Sequence, residues 1–137
     1  MNPVIRHITF DCTEDPYDNA LFWSRLLGLP LADDDKPGDP EASISDPAGG
    51  PTLLFVRVPE PKSAKNRLHL DLGPRGRTRA EEVERAVALG ARRIGDFLRP
   101  DGGGWVVMAD PEGNEFCIER EESARDESAR EESGGTE

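Results

Sequence analysis

Asp110-Pro111-Glu112-Gly113-Asn114-Glu115-Phe116-Cys117-Ile118-Glu119 reads as a tight turn feeding a strand. Asp110 and Pro111 suit the first two turn positions, and Gly113 supplies the positive φ that closes the turn. The side chains then alternate. Glu115, Cys117 and Glu119 fall on one face, Phe116 and Ile118 on the other. Such a strand covers a core with its apolar face and lines a cavity with its polar one.

An earlier copy of this arrangement appears when the sequence is slid along itself. His7 and His69 are 62 positions apart, as are Gly28 and Gly90, each ending a helix-like run, and Phe55 and Cys117, each within a strand-like run. The turn Asp46-Pro47-Ala48-Gly49 precedes Asp110-Pro111-Glu112-Gly113 by 64, so the first copy has two extra residues in its final hairpin. Two copies exclude a long solenoid and indicate a duplicated supersecondary unit.

The first copy begins with an alternating run, Val4 to Cys12, read as a strand. Ile8, Phe10 and Cys12 share one face, and His7, Thr9 and Asp11 share the other. Asp15 caps a helix with Pro16 at its first position, where the missing N–H costs nothing. Ala20, Trp23 and Leu27, with Phe22 and Leu26, form one helical stripe, and Gly28 ends it. Strands are expected over Leu29–Ala32, Ala42–Ser45 and Thr52–Val58.

Residues 59–66, with two prolines and no periodicity, link the copies. Arg67 to Gly73 repeats the opening strand, with His69 and Asp71 on one face. Thr78 and Glu81 have the spacing of a capping box, and their helix runs to Leu89 before Gly90. Strands follow over Arg92–Phe97 and Trp105–Ala109. Each half therefore reads β-α-β-β-β. The expected organisation is one domain over 1–120, with module one at 4–58 and module two at 67–120. Residues 121–137 form an acidic low-complexity tail with no apolar face, expected to be disordered.

Composition narrows the partners. The chain has 137 residues and a formal charge of −11, which disfavours nucleic acid or an anionic membrane surface. No run of 18 apolar residues offers a membrane span. Two cysteines without scaffold-like spacing, and a start that lacks a signal peptide's apolar stretch, fit a reduced cytoplasmic protein.

With the apolar strand faces packed on helices, the opposite faces gather His7, Thr9, Asp11, Leu53, Phe55, Arg57, His69, Asp71, Glu115 and Cys117. That is a sheet surface with convergent polar groups, as a small-molecule site requires. The chain's only two histidines stand at the repeat distance. Two imidazoles and one carboxylate with open positions suit a divalent ion that binds substrate oxygens. His7, His69 and Glu115 are the expected ligands; solvated, hydrogen-bonded histidines are the alternative. Trp105 follows a glycine run and is placed as packing or as a lid that stacks on a flat ligand. Cys117 has no third group in the sequence to orient a base beside it, so it reads as a lining residue.

From Val4 to Arg120 the chain resembles the vicinal-oxygen-chelate superfamily of glyoxalases, extradiol dioxygenases and bleomycin-resistance-like proteins. Lys65-Asn66-Arg67-Leu68-His69-Leu70-Asp71-Leu72 and Asp110 to Ile118 resemble its glyoxalase-like group most closely. The resemblance implies an α+β fold: two βαβββ modules in a half-open mixed-sheet barrel around a cavity, often as a homodimer. It places the superfamily's metal positions at His7, Phe55, His69 and Cys117. Phe55 cannot ligate, and a Cys117 thiolate suits soft ions rather than Mg²⁺.

The reading reached is a glyoxalase-like small-molecule-binding protein without a complete metal site, its cofactor none or one divalent ion. Two alternatives stand beside it. One is a metal-dependent lyase or dioxygenase using His7 and His69. The other is a drug-sequestering resistance protein of the bleomycin type.

Overall fold

The computed structural model describes residues 1–121. Of the acidic tail, 121–137, all but Glu121 lies outside the described residues. The chain divides into two compact units, Met1–Lys65 with Asp110–Asn114, and Asn66–Ala109 with the chain from Glu115 onward. Among the described residues, no helix is long and apolar enough to cross a membrane.

The first unit holds β1 (His7–Cys12), α1 (Pro16–Leu27), β2 (Glu41–Ile44) and β3 (Thr52–Arg57). Its helix is framed as the sequence dictates. The Asp15 carboxylate accepts the Tyr17 N–H, Pro16 opens the first turn, and Gly28 closes the last at φ 70°. The sheet runs β1-β3-β2, with β1 parallel and β2 antiparallel to β3. The expected strand Leu29–Ala32 shrinks to a single bridge between Leu31 and Ile44.

The second unit holds β4 (Asp71–Leu72), α2 (Arg79–Leu89), β5 (Arg92–Leu98), β6 (Gly104–Ala109) and β7 (Glu115–Glu119). Thr78 and Glu81 form the full capping box. The sheet runs β4-β7-β6-β5, with β4 parallel to β7 and the rest antiparallel. With Leu31 in the place of β5, the first unit repeats this order and these senses. The duplication is thus a property of topology as well as of sequence, and the fold is α+β with two mixed sheets.

Two expectations change. β4 pairs over two residues only, although Arg67 to Gly73 alternates cleanly. Upstream, the Asn66 N–H donates to the Glu115 carboxylate at 3.0 Å. The second change concerns β3. In the parallel register Phe10 pairs with Phe55 and Ile8 with Leu53, while His7, Thr9 and Asp11 pair with Thr52, Leu54 and Val56. Paired residues point to the same side of a sheet. Phe55 is therefore not beside His7. It is fully buried and stacks on Phe10 at 4.9 Å, with Phe10 5.2 Å from Trp23 of α1. By strand starts, Thr52 matches Glu115, so the counterpart of Cys117 is Leu54.

A buried polar knot closes the first unit. The Asp110 carboxylate accepts from Asn19 Nδ2 at 3.0 Å and Trp23 Nε1 at 2.9 Å on one oxygen. Its other oxygen accepts the N–H groups of Glu112 and Asn114, both at 2.9 Å. Gly113, at φ 90°, closes the turn through its N–H to the Asp110 carbonyl. The Glu112 carboxylate reaches the N–H groups of Thr13 and Glu14 at 2.7 and 3.0 Å. Asn114 Nδ2 donates to the Asp11 carbonyl at 3.2 Å. Burial pushes the Asp110 carboxyl above the usual range, against the pull of its four N–H donors. Cys12, next to this knot, is pushed from 9.0 up to about 12, first by burial and then by the charges of Glu112 and Asp110.

Asp110→Ala removes the acceptor of the buried Trp23 indole N–H and leaves Asn19 Nδ2 only its longer contact to Cys12 Sγ at 3.7 Å; a buried donor left unsatisfied costs roughly 1–3 kcal/mol. We expect a melting temperature lower by on the order of 10 °C; an unchanged value would refute this account of the knot. Cys12 adds a pH dependence. The folded thiol keeps its proton to about pH 12 while an unfolded one releases it near 9.0, so the native state holds more protons between these values. Stability therefore falls as pH rises through that window. In melting curves from pH 8 upward, Cys12→Ala should lose this part of the slope.

Candidate functional site

Period two and the ladder together define one face of the second sheet. Asp71 pairs with Cys117 and Cys117 with Val107; the next row is Glu119, Trp105 and Phe97. His69, two residues before Asp71 on an extended segment, falls on the same side. The opposite face carries Phe116, Ile118, Val106 and Met108, all buried, with Val83 and Ala86 of α2 buried in the same unit. The apolar half of each strand is thus spent on the core, and the polar half is left over.

At one end of that face stands a compact donor group. His69 Nδ1 and Asp71 Oδ1 are 3.0 Å apart. One donor atom from each of His69, Asp71 and Cys117 lies within 4.8 Å of the others. Asp71 is the group that the sequence did not supply for Cys117: a carboxylate that holds the imidazole. The His69 and Asp71 side chains are 36% and 45% exposed, whereas Cys117 is buried. Solvent therefore reaches the group from the side of His69 and Asp71, with the thiol behind.

At the other end lie two aromatics. Trp105 is 37% exposed, and its ring centroid is 5.4 Å from that of Phe97, tilted by 34°. Its place on β6 puts it on this face, opposite Phe97 in the register. Glu119 joins the row by register; the alternation of the closing strand carried that signal, but the expected set did not include it.

The other expected residues are placed as follows. Glu115 is on this face, but its carboxylate binds the Asn66 N–H and does not enter the donor group. It lies about 7 Å along the strand from Cys117, and the carboxylate of the donor group is that of Asp71. His7, Thr9 and Asp11 are exposed along β1 of the first unit, as expected from their alternation. Arg57 is exposed at the end of β3 and donates from Nε to the Glu14 carbonyl at 3.1 Å. Leu53 and Phe55 face the core, for the register reason given above.

The comparisons with known proteins bear on family and fold. Residues 7–119 match the family described as glyoxalase-like domain. No curated protein sequence matches the chain significantly. Among solved structures, a glyoxalase/bleomycin resistance protein/dioxygenase family enzyme from Burkholderia phytofirmans PsJN is similar with TM-score 0.64 at 18% identity, over 85% of this chain and 98% of that one. A glyoxalase-related enzyme from Fulvimarina pelagi gives 0.61 at 21%, over 86% and 88%. A fosfomycin resistance protein from Listeria monocytogenes gives 0.65 at 16%, over 88% and 92%; it was solved with Mn(II) and 1S,2S-dihydroxypropylphosphonic acid. At these identities the likeness is one of fold.

Mn²⁺ prefers carboxylate, carbonyl and water oxygens. A group of one imidazole, one carboxylate and one thiol does not fit that preference, because the thiolate is too soft.

Proposed function

The chain belongs to the glyoxalase-like domain family, and on that premise we propose that it is a small-molecule-binding protein whose ligand lies on the His69–Asp71–Cys117 face of the second sheet. The observation that carries this reading is the two-ended character of the face. A cluster of imidazole, carboxylate and thiol sits at one end, and the Phe97–Trp105 pair at the other. A ligand that fits has an oxygen-bearing head for hydrogen bonds from or to His69 and Asp71, and a flat apolar part to lie on the rings. Proton-transfer isomerisation that depends on a hard cation is not supported, since the donor group does not suit such an ion.

A thermal-shift screen of aldehydes, catechols and aromatic acids on chelator-treated protein tests this. A ligand at a hundred times its dissociation constant stabilises by about 2.7 kcal/mol. We expect a hit whose shift is lost in both His69→Ala and Trp105→Ala. A hit that neither variant weakens would place the ligand elsewhere. Drug sequestration separates in the same screen: a bulky cationic compound would then give the largest shift.

We also infer a homodimer through β5. It is the edge strand of its sheet, every residue but Gly95 is exposed, and Ile94 and Leu98 are 51% and 47% accessible. An exposed edge with apolar side chains pairs readily with a like edge. Light scattering after size exclusion should give twice the 15.0 kDa chain mass, and Ile94→Asp with Leu98→Asp should return it to one. A wild-type protein of single mass would end this inference.

A further inference from the structure

A thiol, an imidazole and a carboxylate that orients the imidazole are the parts of an activated nucleophile. We propose that Cys117 adds covalently to α,β-unsaturated carbonyl compounds that carry a flat aromatic group, with His69 as its base and Asp71 as the positioning residue. This rests on reading that face as the ligand site, and it names the substrate class and the chemistry of the same site.

Geometry supports it first. Asp71 Oδ1 stands 3.0 Å from His69 Nδ1. An ionised carboxylate only accepts, so this contact holds the proton on Nδ1 and leaves the Nε2 lone pair as the base. One ring nitrogen of His69, one oxygen of Asp71 and Cys117 Sγ lie within 4.8 Å of one another. Hydrogen bonds between a nucleophile and its base are often this loose without substrate and tighten when it binds. As a mere ion pair, the half-exposed His69–Asp71 contact is worth little. As an orienting contact it selects the tautomer that can take a proton from sulfur. One extended segment delivers His69 and Asp71, and β7 delivers the thiol from the next strand.

The shape of the face supports it second. Val107 and Gly95 continue the row of Asp71 and Cys117. A Cβ at Gly95 would meet no atom within 4 Å, so this row ends in open space. Trp105 and Phe97 stand in the next row, about 7 Å along the strands. A ring lying on that pair, joined to a short conjugated chain, carries a carbon of the chain towards the sulfur. Cys117 is only 5% exposed, behind His69 and Asp71, so a thin planar chain reaches it where a bulky reagent does not.

The addition balances without a further reactant. His69 takes the S–H proton, and the sulfur electron pair forms an S–C bond to the β-carbon. The C=C π pair moves into an enolate, and the proton returns to the α-carbon. Nothing is oxidised or reduced and no group leaves; the thioether contains every atom of both reactants. A soft sulfur nucleophile meets a soft carbon electrophile, and the carbonyl oxygen is the oxygen-bearing head that His69 and Asp71 receive.

The test uses the full chain, treated with chelator and freed of reductant, with benzylideneacetone as the probe. Adducts are counted by intact mass and located by peptide mapping. We expect one adduct per chain, on Cys117. Cys12, buried and pushed up to about 12, is the internal control. His69→Ala, at an exposed side chain, should slow adduct formation at saturating probe by roughly 100-fold, with the circular dichroism unchanged. Asp71→Asn should slow it by on the order of 10-fold at an unchanged half-saturating concentration, a split that a merely structural role would not give. Trp105→Ala should raise the half-saturating concentration and leave the saturated rate as it is. No adduct on Cys117, equal labelling of Cys12, or an unchanged rate in His69→Ala would each overturn the proposal. Failure here with a positive small-molecule screen would leave the ligand face standing without a covalent step. A Cys117 adduct with the same half-saturation in Trp105→Ala would leave a reactive thiol without that ligand face.

Discussion

A carboxylate removed from water governs the first unit. Asp110 gathers four N–H groups, two from α1 side chains and two from its own turn. Each donor would be costly to bury alone, and the carboxylate would be costly without them. The arrangement is stable only when complete, so it fixes the position of the turn and of the indole together. Trp23 then sets Phe10, and Phe10 sets Phe55. The aromatic interior of this unit is ordered outward from one acidic side chain.

The second unit is organised by its sheet. Its strands spend their apolar residues on α2 and keep the others in rows across one face. The chemistry on that face follows from pairing alone. Asp71 meets Cys117 because β4 is parallel to β7, and Trp105 meets Phe97 because β6 is antiparallel to β5.

Much of this was legible in the sequence, for identifiable reasons. Pro16 after Asp15, the Thr78–Glu81 spacing and the glycines at 28, 90 and 113 encode local geometry that no distant contact needs to complete. The polar alternation of His7, Thr9 and Asp11, and of Glu115 and Cys117, fixes which side chains share a face. Thr52 to Arg57 was different. Leu53, Leu54, Phe55 and Val56 are all apolar, so period two has nothing to separate, and sliding the two copies at a constant offset placed Phe55 one residue out. Only the pairing with Phe10 resolves it. The Asp110 knot was out of reach as well, since its side-chain donors lie 91 and 87 residues away. Asp71 was seen as a face residue, but its bond to His69 depends on side-chain rotamers that spacing does not specify.

The discontinuity of the first unit bears on its synthesis. Asn19 and Trp23 are translated early, but the oxygen that both require arrives with residue 110, after the whole of α2 and β5. A nascent chain emerging from the ribosome can form α1 and the strand pairs beside it, yet Asn19 and Trp23 lack the Asp110 carboxylate until that later stretch is released. The amino-terminal part of the first unit therefore depends on a segment made much later, and a chain truncated near residue 65 would lack Asp110–Asn114 and with them the acceptor for Trp23.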